Sequence, residues 1–135
     1  MNRTELRKAN GDVFFEATRE AANSYILVNW VGLQSLESIM MGANHLLQML
    51  RQQPVSAILN SNKELIGPWD EGALFLGSDW APKARVLGVK NFAHVLTPGI
   101  YGKRAFEHFV KNADKYLSIR TFESDHQGAN WLLAA

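Results

Sequence analysis

Hydrophobic and polar residues alternate in two stretches near the start of the chain, and this pattern predicts a pair of β-strands. Residues 13–19 alternate over most of their length, and residues 25–31 are rich in β-branched and aromatic side chains. The connection is short and holds an Asn-Ser pair suited to a turn, so the two strands must be antiparallel. An Asn-Gly pair before the first strand makes residues 5–9, within a polar segment 1–12, a candidate edge strand.

The next segment has the spacing of an amphipathic helix. Its apolar stripe consists of Leu36, Ile39, Met40, Ala43, Leu46, Leu47 and Leu50. The Ser35 hydroxyl is placed to accept from a free N–H of the first turn, and Pro54 ends the helix because it has no N–H to donate. Residues 55–59 then form a short continuous apolar run, which is typical of a buried strand.

Helices and strands continue to alternate along the rest of the chain. Residues 60–66 are predicted to be a polar loop, after which Gly67 and Pro68 open a second helix, with Asp70 and Glu71 in its first turn. Trp80, Ala81 and Pro82 are predicted to interrupt this helix, which resumes to Leu87 and is ended by Gly88. A strand at 89–96 and a helix opened by Thr97 and Pro98 follow. The last predicted elements are a strand at 116–122 and a short helix opened by a capping box of Ser124 and Gln127.

The predicted fold class is therefore α/β. The element order is β-β-α-β-α-β-α-β-α, which gives a five-stranded mixed sheet covered by about four helices. No repeat or linker interrupts the pattern, so we expect a single domain over residues 1–135.

Composition narrows the class of protein. Fourteen basic and thirteen acidic residues leave a net charge of +1, which provides no strong field for nucleic acid or an anionic membrane. The absence of cysteine rules out disulfides and thiolate chemistry. No signal peptide and no apolar run long enough to span a bilayer is visible, so we expect a soluble cytoplasmic protein without integral membrane contact.

Several short motifs, in this order and spacing, resemble those of STAS domains, in particular the SpoIIAA-like stand-alone bacterial proteins. They are the strand YILVNWVG at 25–32, AILN at 57–60, GPW at 67–69, WAP at 80–82, the strand 89–96 followed by Thr97-Pro98, Thr121-Phe122 and Trp131-Leu132. The resemblance covers residues 13–133. It implies a non-enzymatic binding or regulatory module that acts through protein–protein interaction in bacterial signalling.

The resemblance also implies a phosphorylated serine at the start of the helix after the third strand. This sequence has Gly67, Pro68, Trp69 and Asp70 there, without a hydroxyl. Asp70 and Glu71 already place negative charge at that helix end, where a phosphate would be repelled. We therefore expect this chain to lack the usual phosphoserine switch.

Residues that could carry catalysis or bind a metal are scattered. His45, His94, His108 and His126 belong to different predicted elements and have no metal-ligand spacing. No nucleophile elbow or cofactor fingerprint is present, and the acidic residues of the second helix are ordinary partners of a helix dipole. An enzyme is therefore the last-ranked hypothesis, and no catalytic residue, metal or cofactor is predicted. The glycine-containing turn at 98–104 could hold an anion, but close packing of a helix start on the sheet explains its glycines better.

The candidate binding face lies where the predicted strands lead into helices, because open α/β sheets usually bind there. Its candidate residues are Asn60, Ser61, Asn62, Lys63, Trp69, Asp70, Trp80, Tyr101, Lys103 and Arg104. Trp69 and Trp80 would supply anchoring area, unless they belong to the core. The alternative function is a carrier or sensor of a lipid or nucleotide, with a pocket near these two tryptophans. The partner is thus a protein or a small ligand, and a homodimer stays open.

Overall fold

The computed structural model describes residues 3–97 and 99–135, apart from the side chains of residues 100 and 101. Its strands are β1 Arg3–Arg7, β2 Val13–Glu20, β3 Tyr25–Trp30, β4 Gly32–Leu33, β5 Ala57–Ser61, β6 Leu65–Ile66, β7 Asn91–Val95 and β8 Ser118–Phe122. Its helices are α1 Leu36–Gln52, α2 Asp70–Phe75, α3 Ala81–Val86, α4 Ile100–Ala113 and α5 Asp125–Ala134, with a π-helical turn, Leu76–Trp80, between α2 and α3. The mixed α/β class is confirmed.

The main sheet has the strand order β1-β2-β3-β5-β7-β8 in the described residues. The first three strands are antiparallel, and β3, β5, β7 and β8 run parallel. The sheet therefore has six strands, and the prediction of five was wrong. The sixth is β1, which begins two residues earlier than the candidate edge strand at 5–9. A turn joins it to β2, in which Lys8 N donates to Asp12 O at 2.8 Å and Gly11 takes a φ of +95°.

The two faces of the sheet are covered unequally. The larger core lies under α1, the α2–α3 segment and α4, and its large buried residues include Phe15, Trp80 and Phe109. On the opposite face α5 packs against β5, β7 and β8 and buries a smaller apolar cluster around Leu59. One face of the sheet thus carries most of the apolar burial.

Helix ends follow the sequence closely, with two adjustments. Ser35 caps α1 and exchanges hydrogen bonds with Ser38, and the Ser124 hydroxyl accepts from Gln127 N at 3.2 Å at the start of α5. The second helix begins at Asp70, two residues later than predicted. Helix α4 begins at Ile100, after Gly99. The Thr97 hydroxyl does not cap it, because this hydroxyl donates to Asn62 O, 2.8 Å away. Pro98 lies outside the described residues.

The predicted helix break at Trp80, Ala81 and Pro82 was wrong. The chain stays helical through a π-helical turn in which Ala81 N donates to Leu76 O, five residues back. Pro82 lacks an N–H and its ring would clash with a carbonyl four residues earlier in an α-helix. The wider turn accommodates the proline without ending the helix.

Candidate functional site

Four parallel strands end at the same edge of the sheet, and a helix starts beyond each of them. Trp30, Ser61, Val95 and Phe122 are the last residues of β3, β5, β7 and β8. The residues that follow lead into α1, α2, α4 and α5. We call this the carboxyl edge. It collects most of the residues that the sequence singled out.

A buried hydrogen-bond network lies beneath the carboxyl edge, centred on the Asn60 amide. Asn60 Oδ1 accepts from Trp30 Nε1 at 2.8 Å. Asn60 Nδ2 faces two acceptors, Asn62 Oδ1 at 3.2 Å and His94 Nδ1 at 3.1 Å. Every hydrogen-bonding atom of this amide is thus engaged, and the network joins β3, β5 and β7 below the edge.

His94 is a neutral core residue. Its ring stacks on Phe106 with centroids 4.2 Å apart and an interplanar angle of 12°. Burial lowers the pKa of His94 to about 3, because the charged imidazolium would lose its hydration. His94 therefore stays neutral at physiological pH.

The tryptophan anchors of the predicted face are inside the protein. Trp69 is 5% exposed and lies 6.0 Å from the His94 ring, and Trp80 is 2% exposed and packs edge-on against Phe92. They belong to the larger core, which is the second interpretation that the sequence left open. Neither tryptophan therefore presents a large exposed surface as a binding anchor.

The first three polar residues after the third predicted strand, Asn60, Ser61 and Asn62, are also buried. Asn60 and Ser61 belong to β5, where they pair with His94 and Val95, so the strand extends two residues into the predicted loop. Asn62 is 1% exposed, and its backbone N donates to Val95 O at 3.0 Å. Leu65 and Ile66 form β6, which pairs in parallel with β4. Asn60, Ser61, Asn62 and Leu65 are thus buried at this edge, whereas Ile66 is exposed.

Charged residues occupy the exposed rim of the carboxyl edge. Lys63 Nζ lies 2.7 Å from Asp125 Oδ2, and Arg104 Nη2 lies 3.2 Å from Asp70 Oδ2. Lys103 is exposed on α4. Tyr101 belongs to α4, but its side chain lies outside the described part of the protein. These ion pairs tie the start of α2 to α4, and the turn after β5 to α5.

An open groove separates the first turn of α1 from the first turn of α2. It has a volume of about 400 Å³, and its wall includes Gln34, Glu37, Pro68, Asp70 and Glu71. We call it the interhelix groove. Its floor reaches Ile39 and Trp69, which are both buried. It has the position of a ligand or partner site in an open α/β sheet.

Two exposed apolar side chains lie at the same edge of the sheet. Leu33 is 63% exposed and Ile66 is 60% exposed, and the two residues are directly paired between β4 and β6. Sequence reasoning missed both. Each residue could have been recognised singly as an exposed apolar side chain, because each lies outside the apolar stripes predicted for the core. Their proximity could not, because the parallel pairing of β4 with β6 joins positions that are 33 residues apart in sequence.

The described residues do not assemble a metal site from His, Asp and Glu side chains. The cavity against Trp69, bounded also by Trp30, Asn60 and Asn62, has a volume of about 10 Å³, which is room for one water. No helix in residues 3–97 and 99–135 is long and apolar enough to cross a membrane.

The chain matches no family model and no curated protein sequence. Among solved structures it is similar to the anti-sigma factor antagonist SpoIIAA in its unphosphorylated form. The likeness has a TM-score of 0.60 at 13% sequence identity and covers 90% of this chain and 97% of that chain. The chain therefore has a STAS-like fold, as the sequence motifs predicted.

Proposed function

We propose that this chain is a non-enzymatic binding module that regulates a protein partner in bacterial signalling, in the cytoplasm. It binds through the interhelix groove and the exposed pair Leu33 and Ile66. The single observation that carries the proposal is this pair, because two directly paired large apolar side chains are both more than half exposed, and Leu33 directly precedes Gln34 in the wall of the interhelix groove. Exposed apolar area beside a rim of charged residues is typical of a protein interaction site.

The structural likeness supports a regulatory role. SpoIIAA is an anti-sigma factor antagonist, and this chain has the same arrangement of strands and helices over 90% of its length. Backbone hydrogen bonds position the strands that carry the exposed pair, because Gly32 N donates to Glu64 O at 2.9 Å and Leu65 N donates to Asn62 O at 3.1 Å. A preorganised face loses less entropy on binding.

A phosphoserine switch is not part of the proposed mechanism. The start of α2 carries Asp70 and Glu71 instead of a hydroxyl. Ser61, the hydroxyl nearest in sequence before that helix, has no solvent exposure, so a kinase cannot reach it in the folded protein. We propose that binding is controlled by the amount or state of the partner.

The alternative of a lipid or nucleotide carrier receives less support. A carrier would need an internal pocket near Trp69 and Trp80, but the cavity beside Trp69 has a volume of about 10 Å³, and the larger interhelix groove that reaches Trp69 is open to solvent. Ligand pockets for such molecules have volumes of about 300–1,000 Å³. The apolar space near these tryptophans is filled by side chains of the core.

The proposal is tested by affinity capture from bacterial lysate with quantitative mass spectrometry. Ile66→Asp places a charge in the apolar pair and should reduce the captured partner at least tenfold. Val86→Asp is the matched control, since Val86 is 85% exposed on α3, away from the residues that line the groove. Circular dichroism verifies that both variants fold. Equal capture by the wild type and both variants contradicts the proposal.

A further inference from the structure

A second groove lies on the other side of residues 34–37, between the end of β1 and the first half of α1. It has a volume of about 440 Å³, and Phe14, Leu33 and Met41 contribute apolar wall. We call it the hairpin groove. It shares Gln34, Ser35 and Glu37 with the interhelix groove, so the two meet at the segment that leads into α1.

Charge is distributed unequally along the combined track. The hairpin groove ends at Arg7 and Lys8, and the interhelix groove ends at Asp70 and Glu71. Glu37 lies where the grooves meet. The track is therefore basic at one end and acidic from its middle to the other end.

Part of this charge has no ion-pair partner among the residues that the structure describes. In the described part of the chain, Lys8, Glu37 and Glu71 form no ion pair, whereas Arg7 pairs with Glu5 at 3.3 Å and Asp70 pairs with Arg104 at 3.2 Å. Unpaired charges on both ends of a groove favour a ligand whose own charges are arranged in the opposite order.

The hairpin groove has exposed apolar side chains in its wall. Leu33 is 63% exposed, and Met41, one turn into α1, is 54% exposed. Unbranched methionine side chains adapt to different apolar partners. A segment that lies across the track can therefore bury apolar side chains between its two charged ends.

We propose that the occupant is a protruding segment of the partner protein that crosses both grooves. It places apolar side chains on Leu33 and Met41, a carboxylate beside Lys8, and lysine or arginine beside Glu37 and Glu71. This inference rests on the proposed function and adds the chemistry of the partner. A second copy of the chain fits less well, since two concave grooves facing each other leave their centres unfilled.

The test is selection of random dodecapeptides displayed on phage against the immobilised protein, followed by fluorescence polarisation with the synthetic peptides. The enriched peptides should carry an acidic residue, an apolar centre and a basic residue. Leu33→Asp should abolish binding. Glu71→Lys should weaken it about tenfold, and changing the basic residue of the peptide to Glu should restore it. Leu133→Asp, on α5 across the sheet, is the matched control and should bind normally.

Three results overturn the inference: no enriched peptide, enriched peptides without opposite charges, or binding that Glu71→Lys leaves unchanged. Sedimentation that shows a dimer dissociated by Leu33→Asp identifies a second copy as the occupant and also overturns it. A different result contradicts the proposed function itself, namely partner capture that does not depend on Ile66. If partner capture depends on Ile66 but not on Lys8 or Glu71, the proposed binding function stands, but the proposed charge pattern of the partner segment is wrong.

Discussion

The Nδ2 atom of Asn60 lies 3.1 Å from the Nδ1 atom of His94, so an amide on β5 sets the tautomer of an imidazole on β7. The orientation of the amide follows from Trp30 Nε1, which can only donate and therefore faces Asn60 Oδ1. Asn60 Nδ2 must then donate to His94 Nδ1, and the ring proton resides on Nε2. Protonation of Nδ1 would place two donors face to face.

This relationship predicts that the protein is destabilised by mild acid. The pKa of His94 is about 3 in the fold, against an ordinary value of 6.5, because of burial. Between these pH values only the unfolded chain takes up the proton, so stability is full above about pH 6.5 and declines as the pH falls toward 3. One pH unit corresponds to about 1.4 kcal/mol, so the contribution of His94 to this loss is about 2 kcal/mol near pH 5.

Urea unfolding of the wild type and His94→Phe at about pH 7.5 and about pH 5 measures this loss. The variant keeps an aromatic ring against Phe106 but cannot titrate. Its stability should fall about 2 kcal/mol less than that of the wild type between the two conditions. An equal fall in both proteins would show that His94 does not carry the effect.

Asn60→Ala should cost about 3 kcal/mol or more in free energy of unfolding. The change leaves Trp30 Nε1, Asn62 Oδ1 and His94 Nδ1 without the partner that they share, and each buried unpaired group costs about 1–3 kcal/mol. Asn130→Ala, on the exposed side of α5, is the control and should change stability by less than about 0.5 kcal/mol. Similar small losses in both variants would contradict the role of the network.

Two helical glycines should respond differently to alanine. A Cβ on Gly77 would lie 2.8 Å from the Phe109 backbone O, whereas a Cβ on Gly72 would overlap Ile39 Cδ1. Ile39→Val removes the Cδ1 atom and so relieves only the clash at Gly72, where contacts of 3.1 and 3.2 Å to the remaining side-chain atoms would stay. Gly77→Ala should therefore destabilise the protein by about 1–2 kcal/mol, both in the wild type and in the Ile39→Val variant. This value is the cost of overpacking less the gain from the better helix propensity of alanine.

Gly72→Ala should destabilise the wild type but cost about 1 kcal/mol less in the Ile39→Val background. A double-mutant cycle of thermal or urea unfolding measures this coupling. A coupling of zero for Gly72 and Ile39 would show that α1 and α2 do not approach as closely as described.

Ser61 should remain unmodified when the folded protein is incubated with ATP and bacterial extract. Its side chain is fully buried at the end of β5. Phosphosite mapping by mass spectrometry is the readout, with the exposed Ser78 as an internal comparison for accessibility. Stoichiometric phosphate on Ser61 would contradict the proposed absence of a phosphoserine switch.

Local patterns were sufficient to predict most of the architecture. The stripe from Leu36 to Leu50 identified α1, with its serine cap, because helix periodicity and capping depend on residues three or four apart. Gly88, predicted as the residue after a helix, has a φ of +111°. These features need no knowledge of distant contacts.

The site was less predictable because it depends on distant contacts. A tryptophan after a strand has the same local pattern whether its indole packs inward, as for Trp69, or outward. The partnership of Asn60 with His94 follows from the register of β5 and β7, and that of Leu33 with Ile66 from the pairing of β4 and β6. Pro82 indicated a break, but tertiary packing retained the helix through a wider turn.

The binding role of the carboxyl edge is tested most directly by a photo-crosslinker introduced at position 66 in living bacteria. The matched position is 86, which is even more exposed but lies on α3, away from the residues that line the grooves. We expect a discrete crosslinked protein from position 66 and none from position 86. Crosslinks of equal yield and identity from both positions, or none from position 66, would contradict a protein-binding role for this edge.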